Sequence, residues 1–178
     1  LDELYMLTVD TSGRTTLLAA SSSNGGGVGP TEILLLPTFI AAGADSSLLA
    51  LDVDRDGLRD LVVLCRGADG SSELLVLWND GGFSTSMVSE VATDSPLLAM
   101  GTLILNGAWG AEVVVSTEKA LHVLRSGGTP RQLVLAAVEG GGGGTALATA
   151  DINGDGLLDV AIGAASGITV YFGEATQP

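Results

Sequence analysis

Residues 151–159 read D-I-N-G-D-G-L-L-D, and the meaning of those nine positions decides what kind of chain this is. Oxygen-bearing side chains stand at positions 1, 3, 5 and 9 with glycine at 6, the arrangement a short loop needs to wrap a hard cation. Asp151, Asn153, Asp155 and Asp159 supply side-chain oxygens, Leu157 turns its main-chain carbonyl inward at position 7, and Gly156 takes the sharp bend. The ion implied is Ca²⁺. The pattern recurs at 52–60 as D-V-D-R-D-G-L-R-D, with Asp52, Asp54, Asp56 and Asp60 as side-chain ligands, the Leu58 carbonyl at position 7 and Gly57 as hinge. Two occurrences in one chain argue against coincidence and predict two Ca²⁺ sites.

A helix–loop–helix calcium motif opens the same way, so the residues C-terminal to each loop have to discriminate. The bidentate Glu required at position 12 is missing, since Val63 and Ile162 stand there. The flanking runs L-V-V-L-C and V-A-I-G are short, β-branched and apolar, which predicts strands on either side of each loop.

From Ala148 onward the chain reads A-T-A-D-I-N-G-D-G-L-L-D-V-A-I-G-A-A-S-G-I-T-V-Y-F-G. This stretch resembles the FG-GAP repeat of integrin α-subunit propellers and the related VCBS-type bacterial repeats. The likeness includes the Gly163–Ala164 pair and the closing Phe172–Gly173, with Ala165 where the family often has proline. The repeat around Asp52 is nearly as close, and the rest of the chain matches in rhythm only. The resemblance implies an all-β fold of propeller blades, each of four antiparallel strands, with the ion at one rim of a blade stapling two strands.

Alignment on the loops gives four units. Their starts fall at 8, 52, 104 and 151, so the spacings are 44, 52 and 47, the size of one four-stranded blade. The expected blades are 1–46, 47–96, 97–144 and 145–178, the last too short for its outer strand, all within a single propeller region. In the first unit Asp10, Ser12, Gly13 and Thr16 fall on positions 3, 5, 6 and 9, with little ligand charge. In the third, I-L-N-G-A-W-G-A-E at 104–112 keeps only Asn106 and Glu112 and reads as a metal-free copy packed around Trp109. The turn at 79–82, N-D-G-G, predicts a hairpin before a strand at 83–91. The five glycines at 140–144 read as a flexible connection; no Lys or helix comes after them to make a phosphate loop.

Composition removes several functions. A net charge of −14, with seven Lys and Arg against 21 Asp and Glu, leaves no basic stripe for nucleic acid. Two bound Ca²⁺ would raise −14 to −10. The apolar run at 34–40 is broken by Pro37 and followed by Asp45, so no membrane insertion is expected in this segment. The chain opens at Leu1 without a charged-then-apolar leader, so any targeting segment is expected to lie outside it.

Catalysis finds no constellation. Seven acidic residues are committed to metal, the sole histidine, His122, alternates with Leu121 and Val123 in a strand pattern, and no G-x-S-x-G elbow occurs. Cys65 has no partner for an internal disulfide and reads as a small buried residue. Trp78 and Trp109 read as core or rim residues before they read as a sugar platform. The chain is therefore expected to be no enzyme but a calcium-stabilised recognition or adhesion module for a protein or glycan ligand, extracellular or at the cell surface. The alternative is a non-catalytic scaffold subunit of a larger, intracellular assembly or an enzyme's accessory domain. Because an open row of blades leaves apolar faces at its ends, the four are expected to be part of a six- to eight-bladed ring completed by further blades or a second chain.

Overall fold

The protein was analysed as a computed structural model that describes residues 3–9, 15–21, 30–35, 46–66, 71–83, 88–91, 95–103, 112–126, 133–140 and 143–174. It is all-β: the described residues form four antiparallel sheets in which each strand pairs with the next in sequence. The first holds β1 (Glu3–Val9), β2 (Thr15–Ser21) and β3 (Pro30–Leu35). The second holds β4 (Ser47–Leu51), β5 (Asp60–Arg66), β6 (Ser72–Leu77) and β7 (Val88–Val91). β8 (Leu97–Leu103), β9 (Glu112–Thr117), β10 (Ala120–Ser126) and β11 (Leu133–Gly140) make the third. β12 (Ala146–Ala150), β13 (Asp159–Ala164) and β14 (Gly167–Tyr171) make the fourth.

The sheets stack face to face in chain order. First strand meets first strand along the row β1, β4, β8, β12, while the outermost strands β7 and β11 touch. Ser72 Oγ accepts the Leu97 N–H at 2.6 Å, tying the second sheet to the start of the third. β1 and β12, at the ends of the row, make no comparable contact among the described residues.

Strand alternation explains how the inner sheets bury both faces. In β5, Leu61, Val63 and Cys65 point back to the first sheet and cluster with Leu17, while Val62 and Leu64 point forward to Val113 and Val115 of β9. Val114, between those two, turns instead to Val160 and Ile162 of the fourth sheet. Uninterrupted apolar runs such as L-V-V-L are what a two-faced strand requires, because every residue lands in a core. Each such side chain contributes about 1.5–3 kcal/mol on burial, and among the described residues the largest cluster lies between the second and third sheets. Trp78 lies inside it, buried, as a core residue. Tyr5 meets Phe83 edge-on at 5.8 Å and closes the rim of the first interface.

Two sequence expectations need correction. The first unit does not carry a nine-position loop in the frame 8–16: Thr8 pairs directly with Thr16 across the ladder. In the two acidic loops it is instead the residue before position 1, Leu51 or Ala150, that pairs with position 9. The β1–β2 connection spans only 10–14 and the acidic ones 52–59 and 151–158, so the first unit lacks the length to wrap an ion in that way.

The glycine run is not a free connection either. Gly140 ends β11, the Gly143 N–H donates to the Glu118 carbonyl at 3.3 Å, and the buried Gly144 carbonyl accepts the Ser116 hydroxyl at 2.7 Å. A Cβ on Gly143 would collide with the Thr117 carbonyl, and one on Gly144 with that of Gly163. These glycines permit close approach of backbones. The outer strand of the second sheet, expected over 83–91, is β7 at Val88–Val91, with 84–87 outside the described residues. The loop at 104–111 with Asn106 and Trp109, the positions Asp10, Ser12 and Gly13, and the expected outer strand of the first unit lie outside them as well.

Candidate metal centre

Each acidic loop leaves the first strand of its sheet and returns as the second. Strand flanks, rather than helices, therefore hold both loops, and the position-12 residues Val63 and Ile162 are strand residues buried in the inter-sheet clusters. The bend at position 6 is real: Gly57 and Gly156 have φ of 88° and 87°. Position 4 is left-handed too, occupied by Gly154 at φ 80° and by Arg55 at φ 68°. The sequence reading missed this second bend, which Gly154 signals in one loop and Arg55 hides in the other.

The loops share a hydrogen-bond scheme. At position 1, Asp52 Oδ2 accepts the Gly57 N–H at 3.0 Å and Asp151 Oδ2 the Gly156 N–H at 2.9 Å. At position 5, Asp56 Oδ1 and Asp155 Oδ1 accept the N–H of Leu58 and Leu157, each at 2.8 Å. At position 3, Asp54 Oδ1 accepts the Asp56 N–H at 3.3 Å and Asn153 Oδ1 the Asp155 N–H at 2.9 Å. The carboxylates thus pre-shape the loop through short-range turns to their own backbone.

Position 9 does something else. Asp60 and Asp159 are fully buried. One oxygen of each reaches across the loop to the position-2 N–H: Val53 at 3.0 Å and Ile152 at 2.8 Å. The other accepts the N–H of the second residue beyond the third strand: Asn79 at 2.9 Å and Gly173 at 2.8 Å. One carboxylate therefore clamps three strands. The sequence reading placed Asn79 in a hairpin turn and Gly173 at the close of the repeat but gave neither a part in the loop, although the shared aromatic before each, Trp78 and Phe172, marks the place.

The two loops differ in charge density. Asp52, Asp54 and Asp60 each bring a carboxylate oxygen within 4.8 Å of the others. Asp52 Oδ1 is buried with no hydrogen-bond partner among the described residues, an acceptor costly to leave unmet in a folded protein. Burial raises the Asp60 carboxyl above its ordinary range, opposed by the Asn79 and Val53 N–H groups and reinforced by the charges of Asp54 and Asp56. In the second loop Asp151, Asn153, Asp155 and the Leu157 segment lie at the surface or half-buried, and no such trio forms among the described residues. Both Asp151 oxygens accept loop N–H groups, and Asn153 Nδ2 donates to Asp155 Oδ2 at 2.8 Å. The Gly173 N–H, with help from Ile152, holds the Asp159 carboxyl below its ordinary range. In the third sheet Glu112 occupies position 9, also buried, and its carboxyl is pushed up by burial. The donor set of the first loop, three gathered carboxylates with one orphaned oxygen, fits a hard divalent cation bound through oxygen.

Taken together, fold and loops define an all-β repeat protein whose stacked sheets carry acidic loops between their first two strands. Residues 143–176, spanning β12 to β14 and the second loop, match the family model of the FG-GAP repeat, so the chain carries an FG-GAP repeat there. No curated protein and no solved structure was found to match the chain.

Proposed function

We propose that the chain is a calcium-stabilised segment of a β-propeller that serves as a rigid, non-catalytic platform for recognising a protein or glycan ligand outside the cell. The observation that carries this reading is the gathered trio Asp52, Asp54 and Asp60 with its orphaned Asp52 Oδ1. The FG-GAP match at 143–176 and the open stacking of four sheets support it. A bound Ca²⁺ supplies positive charge that relieves the repulsion among these carboxylates. In the first loop Asp52, Asp54, Asp56 and Asp60, with the Leu58 carbonyl, would hold it. In the second the holders would be Asp151, Asn153, Asp155 and Asp159, with the Leu157 carbonyl.

The loops lend no support to a role in turnover: most of their carboxylate oxygens accept backbone N–H groups, and the half-buried His122 of β10 sits in mid-strand. Affinity is expected at about 10⁻⁴ to 10⁻³ M, as for extracellular modules in general, which suits millimolar calcium outside the cell. Calorimetry on chelator-treated protein is expected to give two ions per chain, and Asp52→Asn one, with a lower melting temperature in calcium. A stoichiometry of zero, or melting indifferent to calcium, would sink the reading.

A further inference from the structure

The two acidic loops part company at positions 3 and 4, which are Asp54–Arg55 in one and Asn153–Gly154 in the other. An asparagine followed by glycine is the pair whose own backbone most readily attacks the side-chain amide, because no Cβ shields the attacking nitrogen. Asn153 and Gly154 are both exposed, Gly154 is left-handed at φ 80°, and the place of its missing Cβ has nothing within 4 Å. Water and base therefore reach the pair freely. What restrains it is a set of hydrogen bonds on each reacting group. The Gly154 N–H, which has to lose its proton before its nitrogen can attack, donates to Asp151 Oδ1 at 2.7 Å. Asn153 Oδ1 accepts the Asp155 N–H at 2.9 Å, and Asn153 Nδ2 donates to Asp155 Oδ2 at 2.8 Å.

We propose that Asn153 is a site of spontaneous deamidation that the folded loop holds in check, so that opening of the loop commits the side chain to irreversible conversion. The deprotonated Gly154 nitrogen attacks Asn153 Cγ and the new C–N bond closes a five-membered imide. The Cγ–Nδ2 bond breaks, and the nitrogen leaves as ammonia with a proton returned from solvent. Water then opens the imide at either carbonyl. Opening at Cγ leaves aspartate at 153, whereas opening at the main-chain carbonyl leaves isoaspartate, with the chain running through the former side chain. The net change is amide plus water to carboxylic acid plus ammonia, with nothing oxidised or reduced.

The Asp151 carboxylate opposes the first step, since ionising the Gly154 nitrogen would set a second negative charge against it. The bonds to Asp155 fix the amide in a turn. All of these groups lie at the surface of the fourth sheet, which is packed on one face only, and such a loop opens without unfolding the rest. The position is selective. In the first loop Asp54 offers a carboxylate, a poor electrophile, and Arg55 places a Cβ beside the nitrogen. Asn79, the other asparagine among the described residues, precedes Asp80, and its side chain is held by the Arg59 carbonyl at 3.1 Å and the Gly81 N–H at 3.0 Å.

Each product changes the loop. Aspartate at 153 reproduces the acidic frame of 52–60 and sets a carboxylate where the amide had donated to Asp155. Isoaspartate adds a methylene to the main chain between positions 3 and 4 and puts positions 5 and 9 out of step with position 1. On the calcium reading, the first product gains ligand charge and the second loses the site.

Peptide mapping by mass spectrometry of the full chain, aged in chelator at mildly alkaline pH, tests this, with parallel samples in denaturant giving the rate for the open loop. Asn153 is expected to convert faster than Asn79, and about tenfold or more slowly in the native than in the denatured chain, the worth of a hydrogen bond to a charged group. Asp151→Ala is expected to bring the native rate toward the denatured one, with circular dichroism confirming that the strands remain. Gly154→Ala is expected to slow conversion in both states. Should Asp151→Ala fail to fold, the native-to-denatured ratio of the wild type decides alone. Equal rates in native and denatured wild type, native conversion no faster at Asn153 than at Asn79, or a slower reaction in folded Asp151→Ala would each overturn the proposal. Because the rates are read in chelator, they stand apart from calcium stoichiometry, which tests the metal reading separately.

Discussion

Asp60 and Asp159 show how one side chain can matter for two reasons at once. The sequence pattern presents position 9 as a fourth metal ligand, but the geometry makes it first a strand clamp with both oxygens engaged by backbone N–H groups. Nothing in a nine-residue pattern could reveal Asn79, nineteen residues away, as the partner of Asp60. Arg55 is similarly opaque, because a left-handed bend at an arginine leaves no mark in the sequence. Cys65 was legible: a lone cysteine in an apolar strand reads as buried, and it is. Its burial, and after that the charge of Glu73, push the thiol up to about 12.

The sign of the resulting pH effect is fixed. The folded chain holds the proton more tightly than the unfolded chain, whose thiol titrates near the ordinary ~8.5, so the contribution is complete below that value and fades as pH rises toward about 12. Chemical denaturation is therefore expected to show wild type losing stability relative to Cys65→Ala across that alkaline window. At pH 8 the native thiol should resist a disulfide reagent that labels it at once in denaturant. Rapid native labelling, or parallel alkaline limbs for the two proteins, would contradict the buried-thiol account.

Among the elements, the glycine run separates what composition says from what packing does. Five successive glycines look like a linker because nothing in them prefers any conformation, and only the facing backbones disclose that two are wedged. Gly143 lies against the β9–β10 turn, which Thr117 closes by accepting the Lys119 and Ala120 N–H groups at 3.2 and 3.0 Å, and Gly144 lies against β13. The colliding atoms are main-chain carbonyls, which cannot rotate away as a side chain would. Gly144→Ala is expected to destabilise the protein by about 1–3 kcal/mol or more, the range for forcing atoms into a packed interior. Gly140→Ala, which meets nothing within 4 Å, should stay within about 0.5 kcal/mol of wild type. Urea denaturation midpoints for the two variants decide it, and equal midpoints would restore the linker reading. The strands themselves were readable because their runs are apolar at every residue. The β1–β2 connection was misread because T-V-D-T-S-G-R-T-T imitates the loop composition while lacking its length.

Across the whole molecule, stability is distributed unevenly, and the distribution can be measured. The second and third sheets are packed on both faces and share the largest core, so the amides of β5, β6 and β9 are expected to exchange hydrogen only through global unfolding. The fourth sheet is covered on one face, and β12 and β14 carry exposed residues along their length, so their amides should exchange through local opening at lower free energy. On the proposed calcium reading, chelation is expected to add a second gradient, because the loops are joined to particular strands. Losing a bound ion would leave the carboxylates of the first loop repelling one another around Asp60, and that carboxylate holds both the Val53 and Asn79 N–H groups. Protection should therefore fall at Val53, Asn79 and the ends of β4, β5 and β6. By the equivalent clamp it should fall at Ile152, Gly173 and the ends of β13 and β14. β10 and β11, which adjoin neither acidic loop, should change least. Native-state exchange read by mass spectrometry, with and without chelator, resolves these segments. A uniform loss over all four sheets would mean that the ions act on the molecule as a whole, and no loss at Asn79 or Gly173 would mean that the clamp holds without them.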